Sequence, residues 1–377
     1  MGPPLALSIG AHRVWPPVEL APMAGVTNAP YRMICRGFGA GLFVSEMVMA
    51  RPIAESRNER TWKLAEFAPG ESPRSLQIYA TDAAIMGRAV ARLVEERHVD
   101  HIDINFGCPV RKVTRHGGGA AVPARRGLLR AIVKAAVGAA QHVPVTVKFR
   151  KGLDDQLVTY LDAGRIAEDE GCAAVALHAR TAEQLYSGVA DWDAIATLKA
   201  CVTSIPVLGN GDVWEAHDAL AMVRHTRCDG VVIGRGCLGR PWLFRDLAAA
   251  FQGEPVPAPP LLGEISATMS THARALVEWF GPVIGIREFR KHTSWYLSGY
   301  PVGHAPRVQL NTLGSLDELD DVLATLDPTL SMSPGGMQLR RGPQAGPKRV
   351  NLPEGWLDDR DSAESPGREA ELVVSGG

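Results

Sequence analysis

Cys108 is the residue whose setting most suggests chemistry. It lies in Asp103-Ile104-Asn105-Phe106-Gly107-Cys108-Pro109-Val110, between the two residue types that mark a loop. An unperturbed thiol has a pKa of about 8.5 and is mostly protonated at neutral pH. It can therefore donate a proton as a general acid rather than attack as a nucleophile. Buried cysteines are usually packing residues, but a loop tip between glycine and proline is a poor place to pack. Lys148 ends the apolar run PVTVKF (Pro144–Phe149), where a lysine without a partner is costly to bury. Two loops, Gly209–Asp212 (GNGD) and Gly234–Gly236 (GRG), offer backbone N–H groups to phosphate oxygens, and Arg235 adds a forked cation. The plainer reading of these glycines is two tight turns.

Such residues act together only if a fold brings them together. Runs rich in β-branched and aliphatic residues recur near Val18–Ala21, Leu42–Glu46, Ser75–Tyr79, Asp100–Asn105, Pro144–Phe149, Ala173–His178, Ile205–Leu208 and Gly230–Ile233. Several are continuously apolar, as expected for a parallel sheet covered by helices. Amphipathic segments lie between them, such as Ala83–Arg97 after a candidate N-cap at Asp82, and Trp192–Ala200 after Asp191. The pattern predicts a (β/α)8 TIM barrel, with a doubly wound sheet as its rival. In that barrel the functional side chains sit at the C-terminal strand ends. Those positions hold Pro22, Met23 and Ala24; Glu46; Gln77; Asn105 to Cys108; Lys148; His178 and Arg180; Asn210, Gly211 and Asp212; and Gly234 and Arg235. Polar groups at nearly every strand end fit a cofactor lying across the mouth. The two glycine loops follow strands seven and eight, the usual phosphate site of this fold. Beside a flavin, Lys148 would stabilise negative charge developing near N1 and O2 on reduction; the alternative is an ion pair with Glu46 or another acid. Gly234–Gly239 also matches G-x-G-x-x-G, but it follows the last strand, where a dinucleotide fold would need it after the first.

Residues 1–252 form the barrel in this reading. Beyond Gln252 a proline-rich linker leads to a small all-helical domain, residues 253–330, with helices over Gly263–Phe280, Val283–Ser298 and Leu316–Leu326. Residues 331–377 have the composition of a disordered tail, whose first half carries Arg340, Arg341, Lys348 and Arg349. The six cysteines form no C-x-x-C pair, which argues against a zinc cage or a secreted disulfide framework, and no metal site is expected. No apolar run of about 18 residues is present, so no membrane span is expected, and the N-terminus does not read as a signal peptide. A cytoplasmic monomer is the expectation. The net charge of −1 carries no overall mark of a nucleic-acid partner, so RNA binding would need a local basic patch.

Seven motifs in order resemble the tRNA-dihydrouridine synthases, most closely the bacterial B-type branch. They are APMAGVTNAPYR (Ala21–Arg32), INFGCPVRKV (Ile104–Val113), VKFRKG (Val147–Gly152), LHARTAEQLYSG (Leu177–Gly188), LGNGDV (Leu208–Val213), VIGRGCLGRPWLF (Ile233–Phe244) and, in the helical part, REFRKHTSWYLSGYP (Arg287–Pro301). The resemblance implies FMN contacts from Pro22, Met23, Ala24, Gln77, Lys148, His178, Asn210, Gly211, Asp212, Gly234 and Arg235. It implies that Cys108 is the proton donor and that Asn105 and Arg180 lie near the target uracil. NADPH would reduce the FMN, and the tRNA would present a flipped uridine to the barrel mouth. The helical domain would grip the tRNA. Its stretch Arg287–Arg307 carries Arg287, Arg290, Lys291 and Arg307 against one acid, Glu288, with Trp295, Tyr296 and Tyr300 interleaved; those aromatics would stack on RNA or fill the small domain's core. The chain departs from the family at AAVPARRG (Ala120–Gly127), where Leu-Leu and an acid are more usual, and no family counterpart is assigned after Asp327. Rival readings are a small-molecule FMN oxidoreductase of the dihydroorotate-dehydrogenase kind, which leaves the helical domain unexplained, and an RNA-binding protein without catalysis, which leaves Cys108 and Lys148 unexplained.

Overall fold

The computed structural model describes residues 6–39, 41–56, 59–96 and 98–367. A short antiparallel hairpin opens the chain, β1 (Leu7–Ile9) and β2 (His12–Val14). Eight parallel strands follow: β3 (Val18–Leu20), β4 (Leu42–Met49), β5 (Ser75–Tyr79), β6 (His101–Phe106), β7 (Val145–Arg150), β8 (Ala174–His178), β9 (Val207–Asn210) and β10 (Gly230–Ile233). They close in chain order, β10 pairing with β3, so the sheet is a (β/α)8 barrel and not doubly wound. All eight expected strands are present. Asp82 and Asp191 cap their helices, accepting from the backbone N–H of Ile85 at 2.9 Å and of Ala194 at 3.3 Å.

The hairpin had no signal in the sequence. Its strands are too short to show a period, and it is held by the hydrophobic effect at a distance. Leu7, Ile9 and Val14 are buried in one cluster with Ala21, Leu42, Val44, Ala174, Ala176, Leu208 and Val232. The hairpin thus stoppers the N-terminal end of the barrel and leaves the C-terminal end as the open mouth.

Helices Leu262–Phe280, Pro282–Tyr296, Ala305–Asn311 and Leu316–Ala324 make the small domain, the third of them unexpected. Its own apolar cluster includes Leu262, Met269, Leu276, Phe289, Tyr296 and Tyr300, so both tyrosines are core residues. The domain meets the barrel through Tyr31 and two buried histidines, His272 and His292, whose rings lie 4.6 Å apart. Tyr296 Oη and His272 Nδ1 are 3.1 Å apart, while His272 Nε2 and both ring nitrogens of His292 have no partner among the described residues. Burial and the nearby Lys291 charge hold His272 down to about 3. The folded state therefore keeps it neutral while the unfolded chain protonates it below its ordinary value of about 6.5. The unfolded state binds more protons between those limits, so stability is lost as pH falls through this window. His272→Gln keeps a polar partner for Tyr296 and removes the titration. Urea unfolding should show the variant gaining roughly 2 kcal/mol relative to wild type between about pH 6.5 and 4.5. The opposing buried acids are common to both proteins and cancel. A gap that does not change with pH would mean that His272 is protonated in the folded protein.

The segment after Ser331 departs from the expectation of disorder. Through residue 367 it is irregular but fastened to the body; residues 368–377 of the expected tail lie outside the described residues. Arg341 is buried, and its guanidinium donates to the carbonyls of Ser298 (2.9 Å) and Leu339 (3.1 Å). Trp356 is 3% exposed and belongs to the main apolar core. Composition reads this stretch as disordered because its buried groups are single residues separated by proline and glycine, with no period to reveal them.

Candidate active site

The loop after β6 carries Cys108, and a chain of side chains across three strands sets its shape. Asn105 Oδ1 accepts from the backbone N–H of Gly107 (3.1 Å) and Cys108 (3.0 Å), and its Nδ2 donates to Gln77 Oε1 at 2.8 Å. Gln77 Nε2 in turn donates to Asp103 Oδ2 at 2.7 Å, and Thr146 donates to the other oxygen at 2.7 Å. Farther along, Ala120 N–H reaches back to the Cys108 carbonyl at 3.0 Å. Gly119 has φ +55°, and a Cβ there would lie 2.5 Å from that carbonyl, so only glycine fits. Asn105 and Gln77 line the cavity as expected, but their amides are committed to this network, so they act by holding the loop. Cys108 itself is half-buried. Burial pushes its thiol above its usual pKa, outweighing the Val110 N–H and the Arg150 and Lys112 charges. It stays protonated at neutral pH.

Beside the cysteine loop, on the neighbouring strand β7 and beyond, the mouth is strongly cationic. Lys148 Nζ donates to Asn210 Oδ1 at 2.9 Å, and Asn210 Nδ2 to the Val232 carbonyl at 2.7 Å. Burial and the neighbouring Arg150 bring the Lys148 ammonium down to about 8, against the pull of Glu19 and Asp103 deeper in the barrel. Glu46, the alternative partner, instead accepts the Gly25 N–H at 3.0 Å. The strand register aligns Arg150, His178 and Asn210 in one row. His178 is kept neutral by burial and by the charges of Arg150, Lys148, Arg180 and Arg235. Arg180 is 1% exposed and its Nη2 donates to both carboxylate oxygens of Asp212 at 2.7 and 2.8 Å, yet its Nη1 is buried with no partner among the described residues. Asp212, at φ +53°, also accepts the Ala190 N–H at 2.7 Å, so its carboxylate serves to orient Arg180.

These groups share one cavity of about 400 Å³. Pro22, Met23, Ala24, Gln77, Asn105, Cys108, Lys148, His178, Arg180, Asn210, Gly211, Asp212, Gly234 and Arg235 all line it, as does Lys291 from the helical domain. Arg287 and Arg290 lie outside its wall; Arg287 is exposed, and Arg290 Nε donates to the Leu313 carbonyl at 2.7 Å. Arg307 likewise serves the carbonyls of Leu297 and Tyr300 at 2.9 Å. Of the three aromatics, Trp295 reaches the cavity. Its backbone packs on Gly239 (φ +64°), where a Cβ would meet Trp295 at 2.1 Å. The last glycine of the G-x-G-x-x-G match thus lets the helical domain close on the barrel.

Sequence reading passed over Arg150, Tyr186 and Trp214. Arg150 Nε donates to the Gly107 carbonyl at 2.9 Å, and its Nη1 to Thr181 (3.0 Å) and Leu185 (2.9 Å), tying the cysteine loop to the loop after β8. A signal existed, because Arg150 follows Lys148 by two and so shares its face of the strand. The Arg235 guanidinium stacks 4.6 Å from Tyr186 and 5.3 Å from Trp214, a pairing of three separate loops with no local signature. A buried guanidinium nitrogen without a partner, further cations and glycine-rich backbone suit an anionic, phosphate-bearing ligand.

The comparisons with known proteins agree with this geometry. The family profile described as Dihydrouridine synthase (Dus) matches residues 19–330. A protein named "Probable tRNA-dihydrouridine synthase" from Mycobacterium tuberculosis (strain ATCC 25618 / H37Rv) is 53% identical over 384 residues, covering 100% of this chain and 98% of that one. The "tRNA-dihydrouridine synthase B" of Pseudomonas putida is 40% identical over 310 residues, 82% of this chain and 90% of that one. Among solved structures, histamine dehydrogenase from Rhizobium sp. 4-9 superposes with a TM-score of 0.50 at 13% identity over 72% of this chain, which spans half of that protein's length; the likeness is one of fold. The family profile stops before the strapped C-terminal segment, whereas the mycobacterial alignment extends through it. The chain belongs to the dihydrouridine synthase family, flavin-dependent oxidoreductases that form dihydrouridine in tRNA.

Proposed function

We propose that the resident flavin is FMN, that NADPH supplies the electrons, and that Cys108 is the proton donor in the reduction of a tRNA uridine. What carries this reading is a single cavity that holds both a protonated thiol and the cations Lys148, Arg150, Arg180 and Arg235. When bound, the flavin supplies hydride to C6 of the uracil after NADPH has reduced it. The Cys108 thiol gives its proton to C5, and the thiolate is reprotonated from solvent, so the ring gains two hydrogens and the enzyme is restored. Lys148 sits where a cation offsets negative charge on the ring system. Arg180, whose Nη1 has no partner among the described residues, and Arg235, with the backbone of Gly211 and Gly234, would hold the flavin's phosphate. His178, kept neutral, offers hydrogen bonds without adding repulsion to the cations around it. Pro22, Met23 and Ala24 form the wall along β3.

The tRNA reading draws support from the cavity wall itself. Lys291 and Trp295 come from the helical domain, so that domain is part of the site, which a small-molecule oxidoreductase would not need. With Arg287 and Arg290 outside the wall, it presents basic groups to phosphates flanking the extruded base. The test is to map dihydrouridine at each tRNA position in a strain lacking the gene. Loss at defined positions, restored by wild type and not by Cys108→Ala, is the expected result. Unchanged tRNA in a strain with no other synthase would sink the reading.

A further inference from the structure

Residues 331–367 run around the rim of the barrel mouth and are tied down at intervals. The Ser333 N–H donates to the Gly299 carbonyl at 2.8 Å, and Arg240 Nη1 to the Met337 carbonyl at 2.6 Å. Arg235, in the loop after β10, donates to the Pro343 carbonyl at 3.1 Å, and Pro343 lines the cavity. The Lys348 N–H then donates to Glu183, in the loop after β8, at 2.9 Å. The last anchor is on the loop that carries Cys108. Trp356 Nε1 donates to the Ala121 carbonyl at 3.0 Å, its ring lies 4.4 Å from the Arg125 guanidinium, and a Cβ on Gly117 (φ +79°) would come within 2.4 Å of it. Arg360 Nε donates to Ala124 at 2.9 Å, and Arg126 pairs with Asp361 at 2.9 Å. The docking site is thus Gly117–Gly127, which includes the stretch where the sequence leaves the family pattern.

Charge is segregated along this strap. Residues 328–353 contain Arg340, Arg341, Lys348 and Arg349 and no acid, while residues 354–364 hold Glu354, Asp358, Asp359, Asp361 and Glu364. The acidic end faces Arg125 and Arg126. Arg341 is consumed as an anchor. Arg340, Lys348 and Arg349 are exposed, and among the described residues none of them makes an ion pair. Together with burial and Arg180, Arg340 adds enough positive charge beside the mouth to hold Arg235 below the usual arginine range. The helical domain borders the cavity with Lys291, and the strap borders it with Pro343.

We infer that residues 339–349 of the strap are a second RNA-binding bank, whose Arg340, Lys348 and Arg349 take phosphates flanking the extruded uridine. This rests on the reading of tRNA as substrate. The anchors at Arg341, Pro343 and Lys348 matter because a tethered span loses little conformational entropy when it meets the RNA, whereas a free tail would lose much of it. The acidic segment is docked on Gly117–Gly127, where Asp361 pairs with Arg126, and so lies beyond the basic span.

The experiment is a salt titration of holoenzyme binding to tRNA purified from the deletion strain. Combined Arg340→Ala, Lys348→Ala and Arg349→Ala should weaken binding about tenfold near 0.1 M salt and lower the slope of log K against log salt by about 2. Flavin content and thermal midpoint should match wild type. Trp356→Ala removes no charge, yet it should weaken binding comparably by freeing the far end of the strap, and Trp356→Phe should recover part of the loss. Wild-type affinity and slope in the triple variant overturn the proposal. Failure of the wild-type protein to bind tRNA would instead sink the substrate reading, so the two failures are separable.

Discussion

Cys108→Ala should yield a protein that keeps its flavin, accepts electrons from NADPH and then fails to pass them to uridine. A positioned general acid is typically worth about 10²–10⁴-fold, and that is the expected loss in single-turnover reoxidation of the reduced flavin by tRNA. The loss is chemical and not structural. Asn105, Arg150 and Ala120 hold the loop through its backbone, and none of these bonds involves the thiol. Because burial raises the thiol above its ordinary pKa, the donor should stay protonated at neutral and mildly alkaline pH. Any loss of uridine reduction at lower alkaline pH then belongs to another group. Wild-type reoxidation rates in Cys108→Ala would remove the residue from the chemistry.

Lys148→Met should damage the other half of the reaction. Methionine fills similar volume without the charge, so the flavin ring would meet an uncompensated cavity wall as it takes up electrons. Removing one preorganised donor of this kind typically costs about 10²–10³ in rate, and here it should appear in stopped-flow reduction by NADPH as well as in uridine turnover. The fold should tolerate the change. Burial raises Glu19 well above the usual carboxylate range and Asp103 to about 6, so losing the cation lets both become neutral and leaves no stranded charge. The pH dependence carries the sign of the same argument. With Lys148 at about 8, the ammonium is present below that pH and lost above it. Wild-type flavin reduction should therefore fall on an alkaline limb at or above pH 8, and the limb should be absent from Lys148→Met. A variant reduced at the wild-type rate would place Lys148 outside the flavin's environment.

These two residues line the same cavity but are mounted on different supports. Cys108 stands on a loop shaped by backbone hydrogen bonds. Lys148 stands on a strand, two register rows below Arg150 and His178. Arg150 is the link, because it holds the Gly107 carbonyl while its charge lowers the lysine.

Much of this was determined by sequence alone, for a physical reason. A parallel barrel strand is a local object: a short apolar run, a helix after it, and polar residues only where the strand meets solvent at its C-terminal end. Reading those ends therefore found Cys108, Lys148, His178 and Asn210 without knowing which strands are neighbours. What the tertiary structure alone decided depends on partners far along the chain. The hairpin Leu7–Val14 is stable because it stoppers a barrel completed more than two hundred residues later. Asn105 and Asp212 sit where expected, but they spend their polar atoms on the cysteine loop and on Arg180, a choice set by residues on other strands. The strap is the extreme case. Proline, glycine and scattered charge give it no period of its own, and its order comes from Trp356 and Arg341 finding pockets that only the assembled barrel and helical domain provide.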